Sequence, residues 1–294
     1  IRRFNLFLFT MLVLTILSFS LSFLFPGDQL INLSGHVYAT SDQMSQLSQI
    51  YASEQSIFIQ YWTYLTLLFT GEMGISMSSQ LPILDEITSH LPATIELSLV
   101  ALGVAMIVGI PIGFLAAVNH RKPIDNITLS ISMLGYSIPV FWLGLLAILI
   151  FSIQLAWLPS AGRLSLLYEI EHNTGFLLID ILTSDNEFKW QALSDAFAHI
   201  ILPASVVALA PATIFMRLAR SAMMEVLETH YIKAAKAKGL TLRQIIYRHA
   251  IRNAMVKVIR DVGLQFANII TITMITEMIF NWPGIGRWLI ESIY

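Results

Sequence analysis

The chain has 294 residues, 56% of them hydrophobic and 12% charged, with a mean hydropathy of +0.70 and a formal net charge of −2. A soluble domain is about a quarter charged, so this composition asks for lipid as solvent. The chain contains no cysteine, which excludes disulfides, thiolate chemistry and cysteine-based metal sites.

Five apolar segments follow one another: Phe4–Phe25, Leu97–Val118, Ile127–Trp157, Ile200–Met216 and Val262–Phe280. About 20 apolar residues cross the hydrocarbon core of a bilayer. The fold class is therefore an all-α integral membrane protein. Arg2-Arg3 followed by an apolar run resembles a signal peptide, but the run is too long and lacks a small-residue cleavage site, so an uncleaved span is predicted. The third segment is long enough to tilt or kink, with Pro139 inside it. A sixth span is expected to start at Arg287-Trp288-Leu289-Ile290. Because the chain begins at Ile1 and stops at Tyr294, the native protein is expected to extend beyond both ends.

Lys and Arg placement sets the orientation. Residues 26–96 carry no Lys or Arg but seven acids: Asp28, Asp42, Glu54, Glu72, Asp85, Glu86 and Glu96. Residues 158–199 carry Arg163 and Lys189 against six acids. The turn 119–126 holds Arg121 and Lys122. Residues 217–260 hold ten bases: Arg217, Arg220, Lys233, Lys236, Lys238, Arg243, Arg248, Arg252, Lys257 and Arg260. The N-terminus, the 119–126 turn and the 217–257 loop are thus expected in the cytoplasm, and loops 26–96 and 158–199 outside it. Trp157, Trp282 and Trp288 fall near the expected interfaces.

Within the second span, Gly109-x-x-x-Gly113 permits close helix packing and Pro111 can bend the helix. Pro139, with Gly135 and Ser137, can hinge the third span. Both sets read as packing elements before gates.

The stretch Tyr231–Asn253 predicts a helix, a sharp corner and a second helix. Thr229 can cap a run of good helix formers. Gly239 stands where a left-handed residue ends a helix, and Thr241-Leu242-Arg243-Gln244 reads as a capping box. Ala234, Ala235 and Ala237 would let another surface come close. Two readings stand on these residues alone: a docking element for a soluble partner, or a basic amphipathic loop lying on anionic lipid.

In the fifth span, Asp261, Gln265, Asn268 and Thr276 fall on one stripe at about 100° per residue, interrupted by Ile272. Polar groups facing lipid are costly, so the stripe should face the bundle interior, as hydrogen-bonding groups between helices or as part of a translocation path. Glu277 lies about 24 Å along the axis from Asp261, near the far interface. It could accept N–H groups at the Trp282-Pro283-Gly284 turn or attract cationic substrate. The acidic outer loops could draw in a cationic peptide or polyamine, or simply reflect charge bias in translocated segments. The histidines have no paired metal-ligand spacing, and the chain has no G-x-x-x-x-G-K-[ST] phosphate loop.

The pattern Tyr231-x-x-Ala234-Ala235-x-Ala237-x-Gly239, followed by His249-x-x-x-Asn253, resembles the "EAA" loop of importer-type ABC transporter permeases, with Lys233 where that motif has Glu. Further segments are similar to the dipeptide/oligopeptide branch. They are Leu91-Pro92-Ala93-Thr94-Ile95-Glu96-Leu97, Gly109-Ile110-Pro111-Ile112-Gly113, Ser137-Ile138-Pro139-Val140-Phe141, Trp157-Leu158-Pro159-x-x-Gly162 and Glu277-Met278-Ile279-Phe280-x-Trp282-Pro283-Gly284-Ile285-Gly286. Gly162–Asp180 and Gly263–Met278 are most similar to its Sap-type permeases.

The resemblance implies a multi-pass subunit of the bacterial inner membrane with about six spans, five complete in this chain. It is expected to be non-catalytic and to move peptides or a small cationic solute such as putrescine. Its 230–238 helix would couple to two separate ABC ATPase subunits, which bind the ATP and Mg; no cofactor is expected in this chain. A second homologous permease subunit, a periplasmic solute-binding protein and the lipid bilayer are the other implied partners, and nucleic acid is not one. Two other classes make different demands. An ATP-independent carrier or channel should show an internal repeat and a mid-membrane charged relay. A membrane-embedded enzyme needs a convergent His/Asp/Glu or Ser/Lys set. Neither pattern is found in the sequence.

Overall fold

The computed structural model of the protein describes residues 2–171 and 173–292. Any extension before Ile1 or past Tyr294 lies outside the described residues. Apart from one isolated bridge, Ile75 to Pro82, the regular structure of the described residues is helical. In chain order the helices are α1 (Arg2–Leu24), α2 (Gln29–Ser34), α3 (Ser41–Ile50), α4 (Ile57–Thr70), α5 (Ile83–Val118), α6 (Pro123–Ser137) and α7 (Val140–Ala147). These are followed by α8 (Leu177–Thr183), α9 (Lys189–Leu227), α10 (His230–Ala237), α11 (Leu242–Ile245), α12 (Ile251–Ile279) and α13 (Ile285–Glu291). Two wide π turns, Ile148–Gln154 and Ile246–Ala250, extend α7 and join α11 to α12.

Among the described residues, four helices are long and apolar enough to cross a membrane, and the pair α6 and α7 makes a fifth if counted as one span. Each of the five predicted apolar segments falls on helix, and most of these helices run longer than the apolar part, while the sixth span expected from Arg287 is represented among the described residues only by the seven-residue α13. The second begins at Ile83 rather than Leu97, and the fourth covers Lys189–Leu227 rather than Ile200–Met216. Hydropathy marks only the part of a helix that needs lipid, while backbone hydrogen bonding continues into its polar ends. For the same reason the two long acidic stretches are not plain loops, since α2, α3, α4 and α8 lie within them.

The chain divides into two compact units, one holding the described residues up to Ser89 with Ser292, the other His90–Glu291. In the first, α1 meets α4 through Phe19, whose ring centroid is 5.5 Å from that of Tyr61, and through hydroxyl pairs Thr15–Tyr61 and Tyr64–Ser18. Asp28 caps α2, and a Thr40/Gln43 capping box opens α3, each satisfying amides that a helix start leaves free.

The second unit is built on α9. Its buried small side chains, among them Ala204, Ala208, Ala212 and Ala219, face α5 and α12. Gly109 and Gly113 of α5 sit against the Ala212 and Met216 carbonyls, where an added Cβ would overlap the backbone. The absence of a side chain is what lets α5 approach this closely. Gly113→Val is therefore expected to destabilise the protein by about 1–3 kcal/mol through overpacking, read as a lower unfolding midpoint in detergent. Pro111, on the exposed side between the two glycines, leaves α5 unbroken. Pro139 acts otherwise. Proline disfavours helix in the residue before it, Ile138 is extended with φ −79° and ψ 124°, and α6 and α7 diverge by 98°.

Candidate functional site

At the end of the second unit where α9 finishes, Thr229 turns the chain with an extended backbone, φ −66° and ψ 152°. Its hydroxyl donates back to the Val226 carbonyl rather than capping α10, so the expected side-chain cap is absent. Ile232 is fully buried and Ala235 packs on the main core, while Ala234 and Ala237 are exposed between Lys233, Lys236 and Lys238. The amphipathic turn thus buries its branched residue and turns two alanines outward.

Gly239 has φ +84°, its amide bonded to the Lys236 carbonyl and that of Leu240 to the Ala235 carbonyl. This paired closure is a Schellman cap, and only a residue free to take the left-handed conformation forms it without strain. Thr241 and Gln244 make the predicted reciprocal capping box. The second helix is not free-standing, because α11 passes through the π turn straight into α12. Asn253 Nδ2 donates to the Tyr231 hydroxyl at 2.8 Å and to the His249 carbonyl. Tyr231, His249 and Asn253, spread over the sequence motif, therefore close the loop at its base.

Two ion pairs brace this end. Arg220 of α9 makes a two-pronged contact with buried Asp125, which also accepts from the Arg121 amide and contacts His120. Lys257 of α12 pairs with Glu225 of α9. A carboxylate surrounded by a bidentate guanidinium and a backbone N–H is strongly held, so the 119–126 turn is fastened to α9 shortly before α10.

At the opposite end of the same unit, four of the sequence segments interlock. Glu277 is fully buried and accepts from the Thr94 hydroxyl, the Gly286 amide at 2.7 Å and the Arg287 amide at 3.2 Å. Thr94 accepts from the Ile285 amide, and Trp282 Nε1 donates to the Ala93 carbonyl. Glu96 takes Arg163 on one oxygen and the Leu178 amide on the other, and the Arg163 guanidinium lies 5.6 Å from the Trp282 ring centroid. The Gly162 amide reaches the Phe280 carbonyl. Glu277 is thus an N–H acceptor at the start of α13 with no open face toward a passing solute. Thr94, Glu96 and Arg163 were missed as functional candidates. The available signal was an arginine isolated in an acidic stretch and a glutamate at the mouth of a span.

The fifth-span stripe is divided. Asp261 and Gln265 are half-buried, Asn268 is exposed, and Thr276 is buried with its hydroxyl on the Ile272 carbonyl. Gln265 Oε1 is buried without a hydrogen-bond partner among the described residues. Thr276 is satisfied within α12 and Glu277 at the start of α13, which leaves Asp261, Gln265 and Asn268 as the stripe's polar groups without a hydrogen bond among the described residues.

Comparison with known proteins gives a consistent answer along the chain. Residues 109–294 match the family described as "Binding-protein-dependent transport system inner membrane component", and residues 1–98 match its N-terminal companion. The di/tripeptide transport system permease protein DppB of Pseudomonas aeruginosa is 38% identical, covering 99% of this chain and 86% of the relative. The putrescine export system permease protein SapB of Escherichia coli K12 is 39% identical over 100% of this chain and 84% of the relative. The dipeptide transport system permease protein DppB of the same organism is 37% identical over 100% and 86%.

Proposed function

The chain belongs to the family of binding-protein-dependent transport system inner membrane components, an ABC permease of multi-pass, non-catalytic type, and from this we propose that it carries peptides and is driven through α10. In this reading two separate ATPase subunits bind ATP and Mg, and the exposed Ala234/Ala237 face of α10 enters a cleft on one of them. A second homologous permease encloses the path with this one, and a solute-binding protein delivers substrate on the acidic side. The N-terminus, the 119–126 turn and residues 217–257 face the cytoplasm. Residues 26–96 and 158–199 face the periplasm, and residues 97–294 make the permease domain. Asp261, Gln265 and Asn268 line the path.

The observation that carries the reading is the loop itself. A Schellman cap, a capping box and the Tyr231–Asn253 bond fix its shape, and it is continuous with α9 and α12, which run through the core. A segment that only had to connect two spans or coat a lipid surface would not need that definition.

The peptide reading rests on relatives named for di- and tripeptides and peptides. A relative named for putrescine export offers the competing substrate. The complex, purified by a tag on this chain and reconstituted in vesicles of both orientations, is expected to retain two ATPase chains and to move a dipeptide only with ATP. A lone active chain would overturn the coupling, and movement of putrescine without peptide would replace the substrate.

A further inference from the structure

We propose that Arg217, held against Tyr136, is a recognition group for the carboxylate of the transported peptide. The proposal rests on the permease reading above and adds a substrate contact to it.

Three observations lead there. First, Arg217 is an exposed arginine without a hydrogen bond or ion pair among the described residues, apart from its guanidinium lying 5.5 Å from the Tyr136 ring centroid. Several charges of this unit are paired instead: Asp125 with Arg220, Glu96 with Arg163, Lys257 with Glu225.

Second, the Tyr136 contact places the guanidinium beside the C-terminal end of α6. Side chains on a helix lean toward that helix's N-terminus, so Arg217 is carried away from Arg220 toward Thr213. Tyr136 leans back from the α6–α7 bend to meet it. Gly135, next to Tyr136, lies against Thr213 and Leu209, while Asp125 at the start of α6 marks the level of Arg220. The charge therefore sits about a helical turn deeper than the Asp125–Arg220 pair.

Third, it lies beside the 98° break between α6 and α7, where Tyr136 (61% exposed) and Ser137 are both uncovered. Broken spans with uncovered polar groups are where transporters place substrates.

The chemistry of the pair selects its ligand. A guanidinium presents two parallel N–H donors that match a carboxylate. Stacking on the Tyr136 ring orients the fork, and the phenol hydroxyl remains available as a further donor. A diamine offers no acceptor for the guanidinium fork and is repelled by its charge. The pair thus favours peptides with a free carboxyl over polyamines.

The test compares a dipeptide with its C-terminal amide in ATP-driven uptake by the reconstituted complex. The unaltered complex is expected to prefer the free acid. Arg217→Gln should raise the KM for the acid about tenfold, the worth of one charge-assisted hydrogen bond, and shift the amide by no more than about twofold. Arg217→Lys keeps the charge but loses the fork, and should restore part of the preference; it also guards against a folding defect in Arg217→Gln. Tyr136→Leu should weaken the acid selectively and less. Equal uptake of acid and amide by the unaltered complex, or equal loss of both in Arg217→Gln and Arg217→Lys, overturns the carboxylate assignment alone. Absence of any ATP-driven uptake by the unaltered complex overturns the permease reading itself.

Discussion

Glu277→Ala is expected to lower the unfolding midpoint of the protein in detergent by about 10 °C. The glutamate is fully buried and serves three donors, the Thr94 hydroxyl and the amides of Gly286 and Arg287. Removing it leaves these donors in an apolar interior, at about 1–3 kcal/mol for each group left unpaired. Partial relaxation brings the sum to about 4 kcal/mol, which at about 2–4 °C per kcal/mol for a chain of this order gives the stated shift. Glu277→Gln should fall between, because one oxygen remains but an amide N–H₂ is turned toward N–H donors. Gly284→Ala should resemble Glu277→Ala, since its Cβ would overlap the Glu277 carboxylate. A midpoint within about 2 °C of the unaltered protein in Glu277→Ala would mean that this network does not hold α13.

The second large effect is expected in transport and not in stability. Gly239→Pro should abolish ATP-driven uptake while the partner ATPases continue to turn over without regard to substrate. Proline fixes φ near −65° and has no N–H, whereas Gly239 needs φ +84° and donates to the Lys236 carbonyl. Gly239→Ala is the informative companion. Among the described residues, nothing beyond its two chain neighbours lies within 4 Å of a Cβ placed there, so only the left-handed backbone opposes it, at about 1 kcal/mol. It should assemble and transport at a reduced rate. Normal uptake by Gly239→Pro would sink the proposal that the corner after α10 transmits the ATPase stroke.

These two residues also mark how far the sequence could be read. The Gly239 corner and the Thr241/Gln244 box were legible because their chemistry is local, with every partner within a few residues. The spans were legible because lipid imposes composition on about 20 residues at a time. Glu277 was legible only as an alternative. Its partner Thr94 is 183 residues away, and no periodicity within α12 reports which helix lies opposite. The uneven burial along the stripe Asp261–Thr276 was illegible for the same reason. A helical wheel groups residues by angle, but burial depends on the neighbour at each level, and Thr276 is covered where Asn268 is not. Pro139 announced a bend in the third span, and its 98° size is settled by packing that the dipeptide alone does not encode.

The length of α9 has a mechanical consequence. Its 39 residues run without a break from Lys189, past the Asp195 carboxylate that holds Ser165, to Leu227 beside α10. At 1.5 Å per residue it is about 58 Å long, close to twice the hydrocarbon thickness. A rod of that length converts rotation into displacement with large gain. A tilt of about 5° about one end sweeps the other through about 5 Å. In the orientation proposed above, a modest angular step at the basic end would then displace the far end of α9 by that amount without any helix melting or changing its register.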